Sequence, residues 1–85
     1  MNISKAEQRV LHVLAQGGLI RHERDEGGRI AEVHCFTRDG FCMAEFDLPL
    51  FRRLKKRRLI SSRQGKPYRI TRRGLDTVRA QLDNR

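Results

Sequence analysis

Three polar, glycine-bearing tetrapeptides, DEGG (25–28), TRDG (37–40) and RQGK (63–66), constrain this chain more than any other feature. Glycine reaches the left-handed turn region at no steric cost, so each tetrapeptide is a point where the chain doubles back. The runs around the first two are LIRHER (19–24), RIAEVHCF (29–36) and FCMAEF (41–46). They alternate as half-buried strands do, and polar turns containing glycine between such runs are hairpin signals. A four-residue loop at each turn sets the expected register: Arg24 opposite Arg29, Ile20 opposite Val33, Phe36 opposite Phe41 and Cys35 opposite Cys42. One face then gathers Ile20, His22, Ala31, Val33, Cys35, Cys42, Ala44 and Phe46. That face is mostly apolar, as in an antiparallel three-stranded meander covered on one side by helices.

Outside 19–46 the apolar period lengthens to that of a helix. Ser4 and Glu7 have the spacing of a capping box, and Ile3, Ala6, Val10, Leu11, Val13 and Leu14 make one face of a helix over 4–16, stopped by Gly17-Gly18. Asp47 is placed to cap a second helix over 48–58, with Pro49 tolerated in its first turn. On its wheel Leu50, Phe51 and Leu54 fall within about 100°. Arg52, Arg53 and Lys56 lie opposite, Lys55 and Arg57 flank the seam, and Arg58 would fall on the apolar side, which ends the helix near there. Leu59-Ile60, RQGK and Tyr68–Ile70 read as a second hairpin over 59–70, with Pro67 suited to an edge. Thr71 caps a last helix over 72–82, striped by Leu75, Val78 and Leu82, with Gly74 weakening its first turn. The fold class expected is α+β: one domain over 1–85 with three helices, a three-stranded meander and a C-terminal hairpin.

Charge says what such a domain meets. The chain carries 85 residues and a net charge of +9. Residues 1–46 hold six Lys/Arg against seven Asp/Glu, and residues 47–85 hold thirteen against three. The positive field therefore belongs to the second half, above all to FRRLKKRRLI (51–60). A one-sided basic field points to a polyanionic partner. No run approaches the ~20 apolar residues that span a bilayer, and the start lacks the pattern of a secretory signal. The expectation is a cytoplasmic protein with reduced thiols and no membrane partner.

The order of helix, hairpin and helix after residue 47 looks like the second half of a winged-helix domain, with a basic helix beside a basic wing. EQRVLHVLAQGG, LKKRRLI, GKPYRITRRGL and the terminal VRAQLDNR carry a closer likeness: over essentially all of 1–85 the chain resembles the YjhX family of small bacterial proteins. The resemblance implies a toxin of a toxin–antitoxin pair, associated with inhibition of DNA topoisomerase I, and with it a cognate antitoxin protein.

The binding residues expected on this reading are Arg52, Arg53, Lys55, Lys56 and Arg57 on the helix, Arg63, Lys66 and Arg69 on the wing, and Arg72 and Arg73 at the start of the last helix. Mixed Lys and Arg suit phosphates better than base edges. The partner expected on this reading is DNA topoisomerase I, as the resemblance implies, DNA, or both. A DNA-binding regulator or nucleoid-associated protein without toxin activity is the competing reading. No catalytic residues, cofactor or metal are expected. His12, His22 and His34 are scattered with no carboxylate at a convincing spacing for catalysis, and residues 34 and 35 point to opposite strand faces, so Cys35 and Cys42 read as small core residues rather than zinc ligands. Tyr68 reads as a core or edge-strand residue.

Overall fold

The alternating periods resolve into seven elements in a computed structural model that describes residues 2–83, with side chains described to residue 80. They are α1 (Lys5–Ala15), β1 (Leu19–Arg24), β2 (Ile30–Phe36), α2 (Leu48–Lys56), β3 (Ile60–Ser61), β4 (Arg69–Ile70) and α3 (Arg72–Asp83). Local chemistry starts each helix. Ser4 Oγ accepts from Glu7 N at 3.1 Å while Ser4 N donates to Glu7 Oε1 at 3.2 Å, closing the capping box. Asp47 Oδ1 accepts from Leu50 N at 3.0 Å, and Thr71 Oγ1 accepts from Gly74 N at 3.0 Å. The Thr71 hydroxyl also donates to Arg58 O at 2.8 Å, tying the start of α3 to the end of α2.

Two antiparallel pairs form, β1–β2 and β3–β4. They are joined at one point: Ile20 N donates to Tyr68 O at 2.9 Å and Tyr68 N to Ile20 O at 2.8 Å. β1 thus sits between β2 and the second hairpin. The core fills the space between this platform and the helices. Val10, Leu11 and Leu14 come from α1, Leu50, Phe51 and Leu54 from α2, and Val78 from α3. Ile20, Val33, Cys35, Leu59, Ile60 and Tyr68 complete it. Tyr68 is held edge-on to Phe51 at 5.0 Å and to His22 at 5.1 Å between ring centroids. On α3, Leu75 is half-buried, and the side chain of Leu82 lies outside the described residues.

The expected third strand over 41–46 is not formed. Only an isolated bridge between Phe36 and Cys42 remains. The reason lies in loop length. Both turns enclose three residues rather than four: Asp25 N bonds Arg29 O and Thr37 N bonds Phe41 O, each at 2.8 Å. Gly28 and Gly40 supply the left-handed residue that such loops require, at φ 84° and 93°. Each closing pair is therefore shifted by one residue from expectation, and a one-residue slip turns every side chain to the other face. In β1–β2 a bulge between Glu23 and Arg24 adds a second residue of shift and restores the face, pairing Ile20 with Cys35 and His22 with Val33. Nothing restores it after Thr37. Cys42 and Ala44 are exposed, and Met43 and Phe46 pack against the core at a spacing of three, which no strand supports. Ala31, the extra residue of the bulge, is exposed as well.

Gly74 has a tertiary role beyond its cost to helix propensity. A Cβ there would lie 2.5 Å from Leu59 O and 2.6 Å from Ile70 Cγ1, so α3 approaches the β3–β4 hairpin only because the side chain is absent. That close approach sets the first turn of α3, with Arg72 and Arg73, beside the β3–β4 hairpin. Among the described residues no helix is long and apolar enough to cross a membrane.

Candidate polyanion-binding surface

The apolar seam of α2 fixes where its cations point. Leu50, Phe51 and Leu54 are buried, so Arg52 and Lys56 stand exposed on the far side. The flanks behave differently. Arg57, the C-cap of α2, donates from Nη1 to Glu7 Oε2 at 3.2 Å and to Asn2 O at 3.0 Å. Arg53 Nε lies 3.8 Å from Glu7 Oε1. Glu7 is 3% exposed, so its carboxylate is a buried charge that these guanidinium groups compensate. Arg57 and Arg53 therefore tie α2 to the start of α1. On the other flank, Lys55 Nζ sits 5.9 Å from the centre of the Tyr68 ring, within cation–π range.

Most of the remaining cations gather at two grooves. The first, about 350 Å³, lies between α2 and the β1–β2 hairpin. Arg52 and Lys55 line it together with Arg24 and Arg29. The hairpin arginines come from the half of the chain whose charges balance, so a count along the sequence gives no sign of them. Arg24 is steadied by donating from Nη1 to Gly28 O at 2.8 Å. The second groove, about 530 Å³, lies along the β3–β4 hairpin. Arg63, Lys66, Arg69 and Arg72 line it. The turn between Arg63 and Lys66 carries positive φ at both Gln64 (53°) and Gly65 (75°) and closes with Lys66 N bonding Arg63 O at 3.0 Å. This is the primed turn whose twist suits a hairpin.

Seven of these eight cations have no carboxylate partner among the described residues; Arg72 lies 3.8 Å from Asp76. Such cations are available to an external anion. Arg73 and Lys56 are exposed but line neither groove. The ten residues expected to bind thus divide: Arg52 and Lys55 at one groove, Arg63, Lys66, Arg69 and Arg72 at the other, Arg53 and Arg57 on Glu7, and Lys56 and Arg73 apart.

The cysteines also divide. Cys35 is buried and Cys42 exposed, the consequence of the register slip. Burial pushes the Cys35 thiol up from 9.0 to about 11, with Cys42 nearby adding to the rise. No group of three or more His, Cys, Asp or Glu among the described residues is placed to hold a metal.

Comparison with known proteins follows the whole chain. It is 61% identical over 85 residues to a UPF0386 protein of Chelativorans sp. (strain BNC1) and 62% identical over 85 residues to one of Parvibaculum lavamentivorans, each covering 100% of both chains. It is 58% identical over 85 residues to a UPF0386 protein of Caulobacter vibrioides, covering 100% of this chain and 93% of the relative. No solved structure matches. A family model described as "Putative toxin of bacterial toxin-antitoxin pair" matches residues 1–85. Full-length coverage by that model and relatives of this identity carry one conclusion: the chain belongs to the YjhX toxin family.

Proposed function

We propose that this chain is the toxin of a toxin–antitoxin pair and acts on DNA topoisomerase I through its basic surface, by occupying a site rather than by catalysis. The observation that carries this reading is the convergence of Arg24, Arg29, Arg52 and Lys55 at one groove and of Arg63, Lys66, Arg69 and Arg72 at the next, with a single long ion pair among the eight. The order of α2, β3–β4 and α3 is used as in a winged helix: the exposed side of α2 meets the polyanion while the wing cations hold phosphates alongside. The work is done in the cytoplasm, where the cognate antitoxin neutralises it. Topoisomerase I is the target implied by the family resemblance, and its DNA substrate is the polyanion that this surface suits.

A relaxation assay with purified topoisomerase I tests the reading, with enzyme and DNA titrated separately against this protein. Inhibition relieved by added enzyme but not by added DNA places the contact on the enzyme. Relief by added DNA places it on the substrate. A protein that binds DNA yet leaves relaxation untouched at every ratio contradicts the topoisomerase reading and leaves a DNA-binding regulator in its place.

A further inference from the structure

A third opening, about 500 Å³, lies on the exposed face of the platform where β1, the turn after β2 and β4 meet. Arg21, Arg38 and Arg69 line it with Phe36 and Thr37. Two of the three arginines are held from behind, and the third is placed by its strand. The Arg21 guanidinium lies 5.9 Å from the centre of the Phe36 ring. The Arg38 stem fills the space above Gly17, where an added Cβ would lie 3.3 Å from Arg38 Cδ. Arg69 follows Tyr68, whose backbone is bonded to Ile20. None of the three has a carboxylate partner among the described residues. Glu32, two residues from the cross-strand neighbour of Arg21, is engaged by His34 at 3.1 Å. Asp39, next to Arg38, pairs with none of them.

We propose that Arg21, Arg38 and Arg69 bind a phosphate monoester at the end of a nucleic-acid strand whose backbone continues into the wing groove. This deepens the nucleic-acid reading above and rests on it. Three unpaired guanidinium groups at one opening exceed what the single charge of a phosphodiester balances, whereas a terminal phosphate carries about −1.5 to −2 at neutral pH. Its three oxygens match the paired donors of arginine. Arg69 lines both this opening and the wing groove, which makes a strand end the source rather than a free nucleotide.

The test compares one short single-stranded oligonucleotide with hydroxyl ends, with a 5′-phosphate and with a 3′-phosphate, by fluorescence anisotropy at fixed low salt. One phosphorylated strand should bind the native chain roughly tenfold tighter than the hydroxyl strand, the scale of one charge-assisted contact. Arg21→Gln with Arg38→Gln should abolish that difference, and Arg38→Lys should keep part of it; thermal melts confirm that the variants fold. Equal affinity for all three strands, or a phosphate effect that survives the double variant, overturns the inference and leaves the groove reading intact. Inorganic phosphate, followed by amide shifts of residues 17–21 and 37–40, supplies an arm free of nucleic acid. If no strand binds but these shifts saturate and vanish in the double variant, the strand end is overturned together with the nucleic-acid reading, and the anion is a free one. If no strand binds and no shift occurs, the arginine site falls as well.

Discussion

Arg57 and Arg52 lie five residues apart in one helical run and carry the same group, yet they do different work. Arg57, with Arg53 near it, is turned onto the buried carboxylate of Glu7. Arg52 faces an open groove beside Arg24 and Arg29. The difference teaches that a charge run is not one surface. A cation that compensates a buried acid belongs to the fold, because removing it strands a charge in a poor solvent. A cation with water in front of it costs the fold little and is available to a ligand. Burial divides Cys35 from Cys42 in the same way.

The widest separation is expected for the cysteines. Alkylation of the folded chain at mildly alkaline pH should label Cys42 first and Cys35 at least about a hundredfold more slowly, since burial both shields Cys35 and holds it as the thiol. Equal rates, read by mass spectrometry, would break the comparison. The same rise makes stability depend on pH. The folded chain keeps the Cys35 proton to a higher pH than the unfolded chain does. Its contribution is therefore full below 9.0 and lost as pH rises through about 11. Cys35→Ala should flatten that fall in a series of urea melts.

Next in size is the buried acid itself. Arg53→Gln with Arg57→Gln should destabilise the chain by about 2–3 kcal/mol. That is below the usual cost of orphaning a buried charge because the arginine side chains are 50% and 37% exposed. Adding Glu7→Gln to this pair should recover about 1 kcal/mol by removing the stranded charge. Arg52→Gln with Lys56→Gln should stay within roughly 0.5 kcal/mol per site. Equal losses in the two doubles would erase the distinction between the flanks of α2.

Arg58 is a third kind of cation in the run. It sits at φ 60° in the C-terminal cap of α2, where Arg58 N bonds Lys55 O and Leu59 N bonds Leu54 O, each at 3.0 Å. Glycine suits that conformation better, so Arg58→Gly should stabilise the chain by about 0.5–1 kcal/mol. A loss instead would mean that the side chain itself supports the fold. The smallest effect belongs to Arg9, whose 3.1 Å pair with Glu45 joins side chains 63% and 80% exposed. Arg9→Gln should change stability by less than about 0.5 kcal/mol, against the larger loss at Arg57 for an ion pair of similar length.

What was legible in the sequence was local. The caps at Ser4, Asp47 and Thr71 act within three residues, and the apolar faces of α1 and α2 follow from spacing alone. The strand register was not local. Whether a glycine turn encloses three residues or four decides which face Cys42 takes, and DEGG and TRDG read alike until the bulge at Glu23/Arg24 corrects one hairpin and not the other. The cations of the β3–β4 hairpin and Arg52 stood out by charge density. Arg24 and Arg29 did not, because hairpin folding brings a neutral stretch of sequence against a basic helix. Glu7 was hidden differently: the capping box accounts for it, and nothing in the sequence calls for the two arginines that arrive about fifty residues later.

The central claim is that the cations without acid partners form the binding surface and those on Glu7 do not. It is tested most directly by the salt dependence of duplex DNA binding in three folded variants: Arg52→Gln with Lys56→Gln, Arg24→Gln with Arg29→Gln, and Arg53→Gln with Arg57→Gln. Each phosphate contact adds about −0.9 to the slope of log K against log salt. The account predicts a slope shallower by about one to two units in each of the first two variants, including the one from the nominally balanced half of the chain, and a slope within about half a unit of the native chain in the third. A native slope retained by the first two variants, with the loss falling on the Glu7 pair instead, would contradict it.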